Sequence, residues 1–333
     1  VYAYLRGKLD GGVGLLLDCC AAPAHWAGRQ VQFQESLARL RQKWSELGEP
    51  RVIAACATCL KIFREHMHDI PVTSLWETFA EVGLPTRPKS QPDHTRLAIH
   101  DPCTARNDTT VRQLVRRLAV DLGIAVEELP LGGARTQCCG FGGLMQNAHP
   151  ELAAASLRRR AALSPNVYLA YCAMCRDSLA AVGKPSLHLL ELIFPPANKP
   201  PSAIRPRPGW SRRQENRARL KARFQKKIWK ENATEMEAHE KIQLKIAPET
   251  EALLEQRRIL VSDIQKVIHH AETSGEKFAH RTSGRFKAAF SPYKATFWVE
   301  YQPCDGADGD TYTIHNAYAH RMIVDAHEKG GGL

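Results

Sequence analysis

The chain of 333 residues contains no run of about 18 apolar residues, the length needed for a membrane-spanning helix. It also lacks a phosphate-binding loop, because Gly140, Gly142 and Gly143 are not followed by Gly-Lys-Ser/Thr. Its opening residues, VYAYLRGKLDGG, include neither an initiator methionine nor the apolar stretch of a secretory signal. We therefore expect a cytoplasmic protein, with a further portion of the chain upstream of Val1.

Most of the excess of basic residues lies in one segment. Residues 197–248 carry 14 Lys/Arg against 5 Asp/Glu, whereas residues 1–196 carry 22 against 18 and residues 249–333 carry 10 against 12. The net charge of +11 thus describes a basic segment on a nearly neutral protein, and we do not expect nucleic acid as a partner. The alternative is a nucleic-acid adaptor that uses residues 205–230, where Trp210 and Phe224 stand among the charges.

Short apolar runs that end on cysteine recur along the first half of the chain. They lie at 13–20, 51–59, 96–103 and 166–175. Such runs are typical of buried strands in a parallel sheet, and helical patterns at 32–48 and 109–123 alternate with them. This alternation predicts an α/β fold with cysteines at the carboxyl ends of the strands, where such sheets bind ligands.

The cysteines also indicate an internal duplication. In both halves an adjacent pair precedes a C-x-x-C motif, with 35 intervening residues in the first half and 32 in the second. Ser-Leu steps at 74–75 and 186–187 follow the C-x-x-C motifs, and we expect each to open a helix. Cys103 stands 34 residues before the second pair, whereas no cysteine precedes the first pair. The missing counterpart is therefore expected upstream of Val1.

These patterns predict an α/β protein of duplicated strand–helix units with a parallel sheet, plus a small C-terminal α+β module. We place the first unit at 1–94, the second at 95–195, a Pro-rich and basic linker at 196–248, and the module at 249–333. Within the module we predict a helical stretch over roughly 249–274 and strands at 285–290, 295–302 and 311–324, with a turn at 303–310.

The complete second unit offers five thiols, although a closed structural zinc site uses four. Adjacent cysteines such as Cys138 and Cys139 seldom bond to each other, because a disulfide needs Cα atoms about 5.5–6 Å apart and neighbours lie at about 3.8 Å. Inert buried thiols and redox disulfides at the C-x-x-C pairs are the alternatives. The repeated pairing favours metal over both.

The pattern Cys–CCG–CxxC resembles the CCG, or cysteine-rich, domain found in the B subunit of heterodisulfide reductase. Related iron–sulfur proteins of glycerol-3-phosphate dehydrogenase and lactate-utilisation systems carry the same domain. The resemblance covers residues 1–195 as two tandem copies. In the first copy Ala21 stands where the second has Gly140, and the leading cysteine is absent.

This resemblance implies an iron–sulfur protein that transfers electrons within a larger oxidoreductase. It implies a [4Fe–4S] cluster of non-cubane type in each complete copy. The implied ligands in the second copy are Cys103, Cys138, Cys139, Cys172 and Cys175, and those in the first are Cys19, Cys20, Cys56 and Cys59. It also implies a flavin or iron–sulfur protein partner, with a flavin such as FAD on that partner or on the upstream region.

Two further interpretations of the sequence bear on this site. A zinc-binding structural or interaction scaffold is the alternative function, in which the thiols only stabilise the fold. His100, three residues before Cys103, is interpreted as a satisfied strand histidine, with a hydrogen bond near the cluster as the alternative.

Overall fold

The computed structural model describes residues 1–86, 96–195, 201–226, 237–304 and 311–321. The chain forms two compact units, Val1–Arg207 and Pro208–Leu333. Among the helices in these described ranges, none is both long enough and apolar enough to cross a membrane. The predicted domain boundaries at 94/95 and 195/196 adjoin residues outside these ranges and stay predictions.

The first repeat, residues 1–86, pairs two short parallel strands flanked by helices. Its elements are α1 Tyr2–Arg6, α2 Ala22–Trp26, α3 Gln30–Glu46, β1 Val52–Ala54, α4 Ala57–His66, β2 Val72–Ser74 and α5 Leu75–Val82. Val52 lies opposite Val72 in the ladder. As the 32–48 pattern predicts, α3 is an amphipathic helix whose apolar face is buried, and it ends just before Gly48, which adopts a positive φ.

The strand predicted over residues 13–20 is wrong. This segment is irregular in the structure and belongs to no sheet among the described residues. A strand needs a neighbour for its backbone hydrogen bonds, and β1 pairs only with β2 in this two-stranded sheet. Leu16 is 44% exposed, so the apolar run is not a buried one. Its carboxyl end nevertheless delivers Cys19 and Cys20 to the site.

The second repeat, residues 96–195, is built on a four-stranded parallel sheet in the order β4-β3-β5-β6. Its elements are β3 Arg96–His100, α6 Thr109–Asp121, β4 Ala125–Glu128, α7 Met145–Ala148, α8 Pro150–Ala161, β5 Tyr168–Ala170, α9 Ala173–Ala181, β6 Ser186–His188 and α10 Leu189–Ile193. The strands at 96–100 and 168–170 are fully buried over most of their length, as continuous apolar runs predict. The α/β prediction with parallel sheets is confirmed.

The two repeats share one hydrophobic core. Trp76 of α5 packs edge-on against Tyr171, with ring centroids 6.1 Å apart, and both side chains are buried. The order β1-α4-β2-α5 recurs as β5-α9-β6-α10. One predicted detail is wrong, however: Ser74 caps α5 through a capping box with Glu77, but the equivalent cap of α10 is His188. Ser186 lies within β6, because β6 begins at the serine of its Ser-Leu step whereas β2 ends at Ser74.

The C-terminal unit contains a five-stranded mixed sheet, in the order β7-β11-β10-β9-β8. Its elements are α11 Trp210–Phe224, β7 Gln243–Ile246, α12 Pro248–Arg257, α13 Val261–Ser274, β8 Phe278–Ala279, β9 Phe286–Phe290, β10 Thr296–Pro303 and β11 Thr311–His320. The helical stretch predicted over 249–274 is confirmed, and it consists of two helices because Arg258 adopts a left-handed φ of 58° between them. Strand β7 falls in the predicted linker.

Parts of three predictions for this unit lie outside the described residues. These parts are the tip of the predicted 303–310 turn, the end of the 311–324 strand and residues 227–236 of the basic segment. The predicted strands at 285–290 and 295–302 correspond to β9 and β10. Together with α13 they enclose a separate core that includes Ile264, Val299 and Ile314.

Candidate metal centre

Each C-x-x-C motif sits where a strand passes into a helix. Cys56 and Cys172 are the N-cap residues of α4 and α9, with extended backbone angles near φ −121° and −128°. Cys59 and Cys175 follow in the first turn of the same helices. Free backbone N–H groups at a helix start favour negative charge, so both motifs are placed where thiolates are stabilised.

The adjacent cysteines of the second repeat depend on the glycines that follow them. Gly140 has φ +81°, and a Cβ there would approach the carbonyl oxygen of Ala153 to 2.8 Å, so only glycine fits. A Cβ on Gly142 would fill the space in front of two sulfurs, at 3.5 Å from Cys103 Sγ and 3.6 Å from Cys138 Sγ. Because Gly142 has no side chain, the space next to the thiols of Cys103 and Cys138 stays open.

Ala21 occupies the position in the first repeat that Gly140 occupies in the second. It also adopts the left-handed conformation, with φ 57° and ψ 18°, although it carries a side chain. Its backbone N–H donates to Cys19 Sγ at 3.4 Å. The turn after the cysteine pair is thus the same in both repeats, and the first repeat adopts it at a steric cost of about 1–2 kcal/mol.

All nine predicted ligand cysteines form one continuous array of interacting thiols. Cys103 and Cys138 are 3.9 Å apart at their sulfurs. The array runs in the order Cys19, Cys20, Cys59, Cys56, Cys172, Cys175, Cys139, Cys138 and Cys103. Cys56 and Cys172, which are equivalent residues of the two repeats, form the junction.

Ionisation along the array is shared between neighbours. The Cys103 and Cys139 thiols, with the N–H groups of Gly140 and Gly142, lower the pKa of Cys138 to about 2. Its neighbour Cys139 has a pKa raised to about 11, chiefly because it faces Cys138.

The same alternation holds in the first repeat. The Cys172 and Cys59 thiols lower the pKa of Cys56 to about 2, and the Cys19 and Cys59 thiols lower that of Cys20 to about 3. Facing Cys20 and Cys56, Cys59 has a raised pKa. Adjacent thiols therefore do not both ionise unless cations neutralise them, and this is the donor chemistry of a metal centre.

Burial changes along the array. Cys19 is exposed at one end, whereas Cys139, Cys172 and Cys175 are buried at the middle and far side. Cys103 and Cys138, at the other end, are half-buried. Cys56 and Cys59, between Cys20 and Cys172 in the array, are half-buried as well, so the longest enclosed stretch consists of Cys172, Cys175 and Cys139.

A buried ion-pair network supports the loop that carries Cys103. Asp101 is fully buried and accepts two hydrogen bonds from Arg116, at 3.0 and 2.9 Å, one from Tyr171 Oη at 2.7 Å and one from the Gly133 N–H at 2.9 Å. Burial alone would raise the pKa of Asp101, but these partners bring it below its ordinary value. The network fixes the backbone two residues before Cys103.

His100 lies beside the buried end of the thiol array. Its side chain is fully buried at the end of β3, and one ring nitrogen lies within 4.8 Å of Cys139 Sγ and Cys175 Sγ. Arg160 Nε donates to His100 Nδ1 at 3.1 Å. Burial, reinforced by the Arg160 guanidinium, lowers the pKa of His100 to about 4, so the ring is neutral near pH 7.

The structure brings together every cysteine that the sequence analysis selected. Cys304 lies in the C-terminal unit, where its thiol contacts Thr313 Oγ1 at 3.2 Å. Sequence reasoning missed the Cys56–Cys172 junction, although the duplication could have suggested it. It also underrated His100, whose only signal was its place at the end of a strand that leads to a cysteine.

Two segments of the chain, residues 16–64 and 97–179, match the family model of the CCG cysteine-rich domain. The predicted resemblance in two tandem copies is thereby confirmed. The second match begins at residue 97 and includes His100 and Cys103. Both matches contain a cysteine pair and a C-x-x-C motif.

Three archaeal proteins are similar to this chain over 48–53% of its length. An uncharacterized iron–sulfur protein of Methanocaldococcus jannaschii is 24% identical over 171 residues, and one of Methanococcus maripaludis is 27% identical over 175. The B subunit of the fumarate reductase (CoM/CoB) of Methanothermobacter marburgensis is 24% identical over 188 residues. The matched segments span 34%, 34% and 37% of the relatives' own lengths, about a third of each.

Proposed function

We propose that this chain is an iron–sulfur electron-transfer component of a heterodisulfide-reductase-like oxidoreductase. In this proposal Cys103, Cys138, Cys139, Cys172 and Cys175 bind one [4Fe–4S] cluster of non-cubane type, and Cys19, Cys20, Cys56 and Cys59 contribute to a second. The observation that carries the proposal is the continuous array of nine thiols, since no mononuclear ion uses so many.

The residues around the array suit a cluster. Five thiols meet in the second repeat, one more than a tetrahedral zinc ion accepts, whereas a cluster of several irons can use a bridging fifth thiolate. Gly142 keeps the face of Cys103 and Cys138 free of side-chain atoms. Backbone N–H groups of Gly140, Gly142 and Phe141 are directed at the sulfurs and would offset the negative charge of the ligands.

A cluster bound here would supply reversible one-electron transfer. The chain's own residues have three tasks in that process. The strand ends and helix starts fix the positions of the sulfurs, the buried Asp101–Arg116 pair holds the Cys103 loop, and the apolar residues around Cys139 and Cys175 exclude water. Because Cys19 at one end of the array is exposed and Cys103 at the other is half-buried, the array suits electrons that enter at one end and leave at the other.

A redox protein partner belongs to this proposal. One relative is named as the B subunit of a reductase, and this chain matches only about a third of that relative. We infer that a flavin or iron–sulfur protein exchanges electrons with the centre, with a flavin such as FAD on that protein.

Metal and acid-labile sulfide analysis of anaerobically purified protein tests the proposal. We expect about four irons with matching sulfide for the second repeat, and an EPR signal that changes between oxidised and reduced samples. Cys304→Ser is the matched control, because its thiol lies in the C-terminal unit, and it should leave iron and sulfide unchanged. Protein that carries zinc without sulfide, before and after anaerobic reconstitution with iron and sulfide, would contradict the proposal.

The second candidate function is a zinc-binding scaffold, and one observation favours it for the first repeat alone. That repeat offers four cysteines in the described residues, the number that closes a zinc tetrahedron. One zinc per chain would assign this role to the first repeat, provided that the variant Cys20→Ser loses the zinc and keeps the iron of the second repeat.

A further inference from the structure

The side chain of His100 has one ring nitrogen that is hydrogen-bonded and one that has no partner, and the ring lies beside two buried thiols. Nδ1 accepts from Arg160 Nε at 3.1 Å, whereas Nε2 is buried without a hydrogen-bond partner among the described residues. A ring nitrogen lies within 4.8 Å of the sulfurs of both Cys139 and Cys175. A buried polar atom without a partner is rare and calls for one.

Arg160 determines where the proton of this imidazole resides. A guanidinium can only donate hydrogen bonds, so Nδ1 must present its lone pair to Arg160 Nε. A neutral imidazole carries one proton, which therefore resides on Nε2. Arg160 is itself held in place, since its Nη1 donates to the carbonyl oxygens of Pro130 at 2.9 Å and Leu131 at 3.1 Å. The tautomer follows from this anchored donor.

This arrangement is the reverse of that found for a metal-ligating histidine. A ligating imidazole typically donates its second N–H to a carboxylate or carbonyl and binds the metal through the other nitrogen's lone pair. Here the second nitrogen faces a donor, and the lone pair is already used. Ligation through Nε2 would require an imidazolate, so His100 is not a tenth ligand.

We propose that, when the centre is loaded, His100 donates its Nε2–H to the ligand thiolate sulfur of Cys139 or Cys175, with Arg160 as the positioning residue that holds the imidazole in the donating tautomer. The inference rests on the proposed iron–sulfur function and deepens it. A donor to a ligand sulfur stabilises the electron-rich, reduced state of the centre and raises its reduction potential. Among the described residues of the first repeat no strand corresponds to β3.

Pulsed EPR of anaerobic, reduced protein labelled with ¹⁵N-histidine tests this inference directly. We expect a weak ¹⁵N coupling to the cluster that is lost in His100→Phe, which keeps a ring of similar shape. The difference between the parent and this variant also separates His100 from His188, whose Nδ1 accepts from the Leu190 N–H. A coupling large enough for direct ligation would overturn the inference, and so would the absence of any difference between the two samples.

A redox titration followed by EPR supplies the second readout. We expect His100→Phe to shift the oxidised-to-reduced ratio at fixed potential about tenfold toward the oxidised state, which is about 59 mV for a one-electron couple. The double variant His100→Phe/Arg160→Met also removes the Arg160 Nε donor that loses its acceptor, and it should shift the potential at least as far in the same direction because a nearby cation is lost too. His315→Phe removes another unpartnered buried ring nitrogen, from the C-terminal unit, and should leave the potential unchanged. An unchanged potential in His100→Phe would overturn the inference.

Iron and sulfide measured on the same samples separate the two proposals. Their absence from the parent protein would overturn the iron–sulfur function and this inference together. Iron and sulfide at full content with no ¹⁵N coupling would overturn only the role of His100.

Discussion

The two repeats contain the same cysteine motif, but different residues surround it. In both, a strand delivers the C-x-x-C pair to a helix start, and a left-handed residue follows the adjacent cysteines. The second repeat adds strands β3 and β4, the fifth cysteine Cys103, the buried Asp101–Arg116 pair and His100. In the first repeat the ion pair between Arg41 and Asp69 lies on the surface.

This difference separates the residues that bind the metal from the residues that tune its properties. Four thiols and a helix start are common to both repeats and suffice to form a ligand set. The additional buried charges of the second repeat control the surroundings of its sulfurs. We therefore expect changes in the second repeat to have large effects on both stability and cluster properties, and matched changes in the first to have smaller ones.

Loss of a ligand is the largest expected effect. Cys139→Ser should remove the iron and sulfide of the second repeat, because Cys139 is buried between Cys138 and Cys175 and serine is a poor ligand for iron. Cys20→Ser should remove only the metal of the first repeat. Metal and sulfide analysis checks both, and a Cys139→Ser protein with full iron content would refute the ligand assignment.

Breaking the buried ion pair comes next in size. Arg116→Met leaves the Asp101 carboxylate buried without its main partner and should lower the free energy of unfolding by about 4 kcal/mol. Denaturant titration of the metal-free protein measures this. In the first repeat the matched control Arg41→Met breaks an exposed pair and should produce no measurable change. An equal loss of unfolding free energy in the two variants would show that the ion pairs of the two repeats contribute equally to stability.

The glycine after the cysteine pair gives a smaller effect. Gly140→Ala places a Cβ 2.8 Å from the Ala153 carbonyl oxygen and in an unfavourable left-handed conformation. We expect a loss of about 3 kcal/mol in the free energy of unfolding, the sum of backbone strain and overpacking. The measurement is again a denaturant titration, and a loss below about 1 kcal/mol would contradict close packing at this turn.

The reciprocal change in the first repeat should have the smallest effect. Ala21→Gly relieves about 1–2 kcal/mol of left-handed strain, but it increases the entropy of the unfolded chain and removes a buried methyl group. These effects nearly cancel, so we expect a change within about 0.5 kcal/mol. A destabilisation as large as that of Gly140→Ala would mean that the two turns are not equivalent.

The sequence predicted the chemistry of the site better than its geometry. Paired cysteines at regular spacing identified the nine members of the array, and apolar runs identified β3 and β5, because burial on both faces leaves a clear trace in composition. The irregular segment 13–20 has the same composition but no neighbouring strand, which a single run of residues does not reveal. The split between α12 and α13 depends on the left-handed backbone of Arg258, a residue type that carries no such signal.

Contacts between distant residues were the least predictable part. Cys56 and Cys172 meet because the repeats pack about a shared core, and sequence spacing within one repeat contains no information on that packing. The role of His100 depends on Arg160, which is 60 residues away in the chain and buried against it. Such tertiary pairings decide how the site is tuned, and they emerge only from the fold.

X-ray absorption at the iron and zinc edges of the anaerobically purified protein tests most directly whether the thiol array holds an iron–sulfur cluster. We expect an iron signal with a sulfur shell and a short iron–iron shell, reduced in amplitude relative to protein concentration by Cys139→Ser but not by Cys304→Ser. Zinc surrounded by four sulfurs, with no metal–metal shell and no iron after reconstitution, would contradict it.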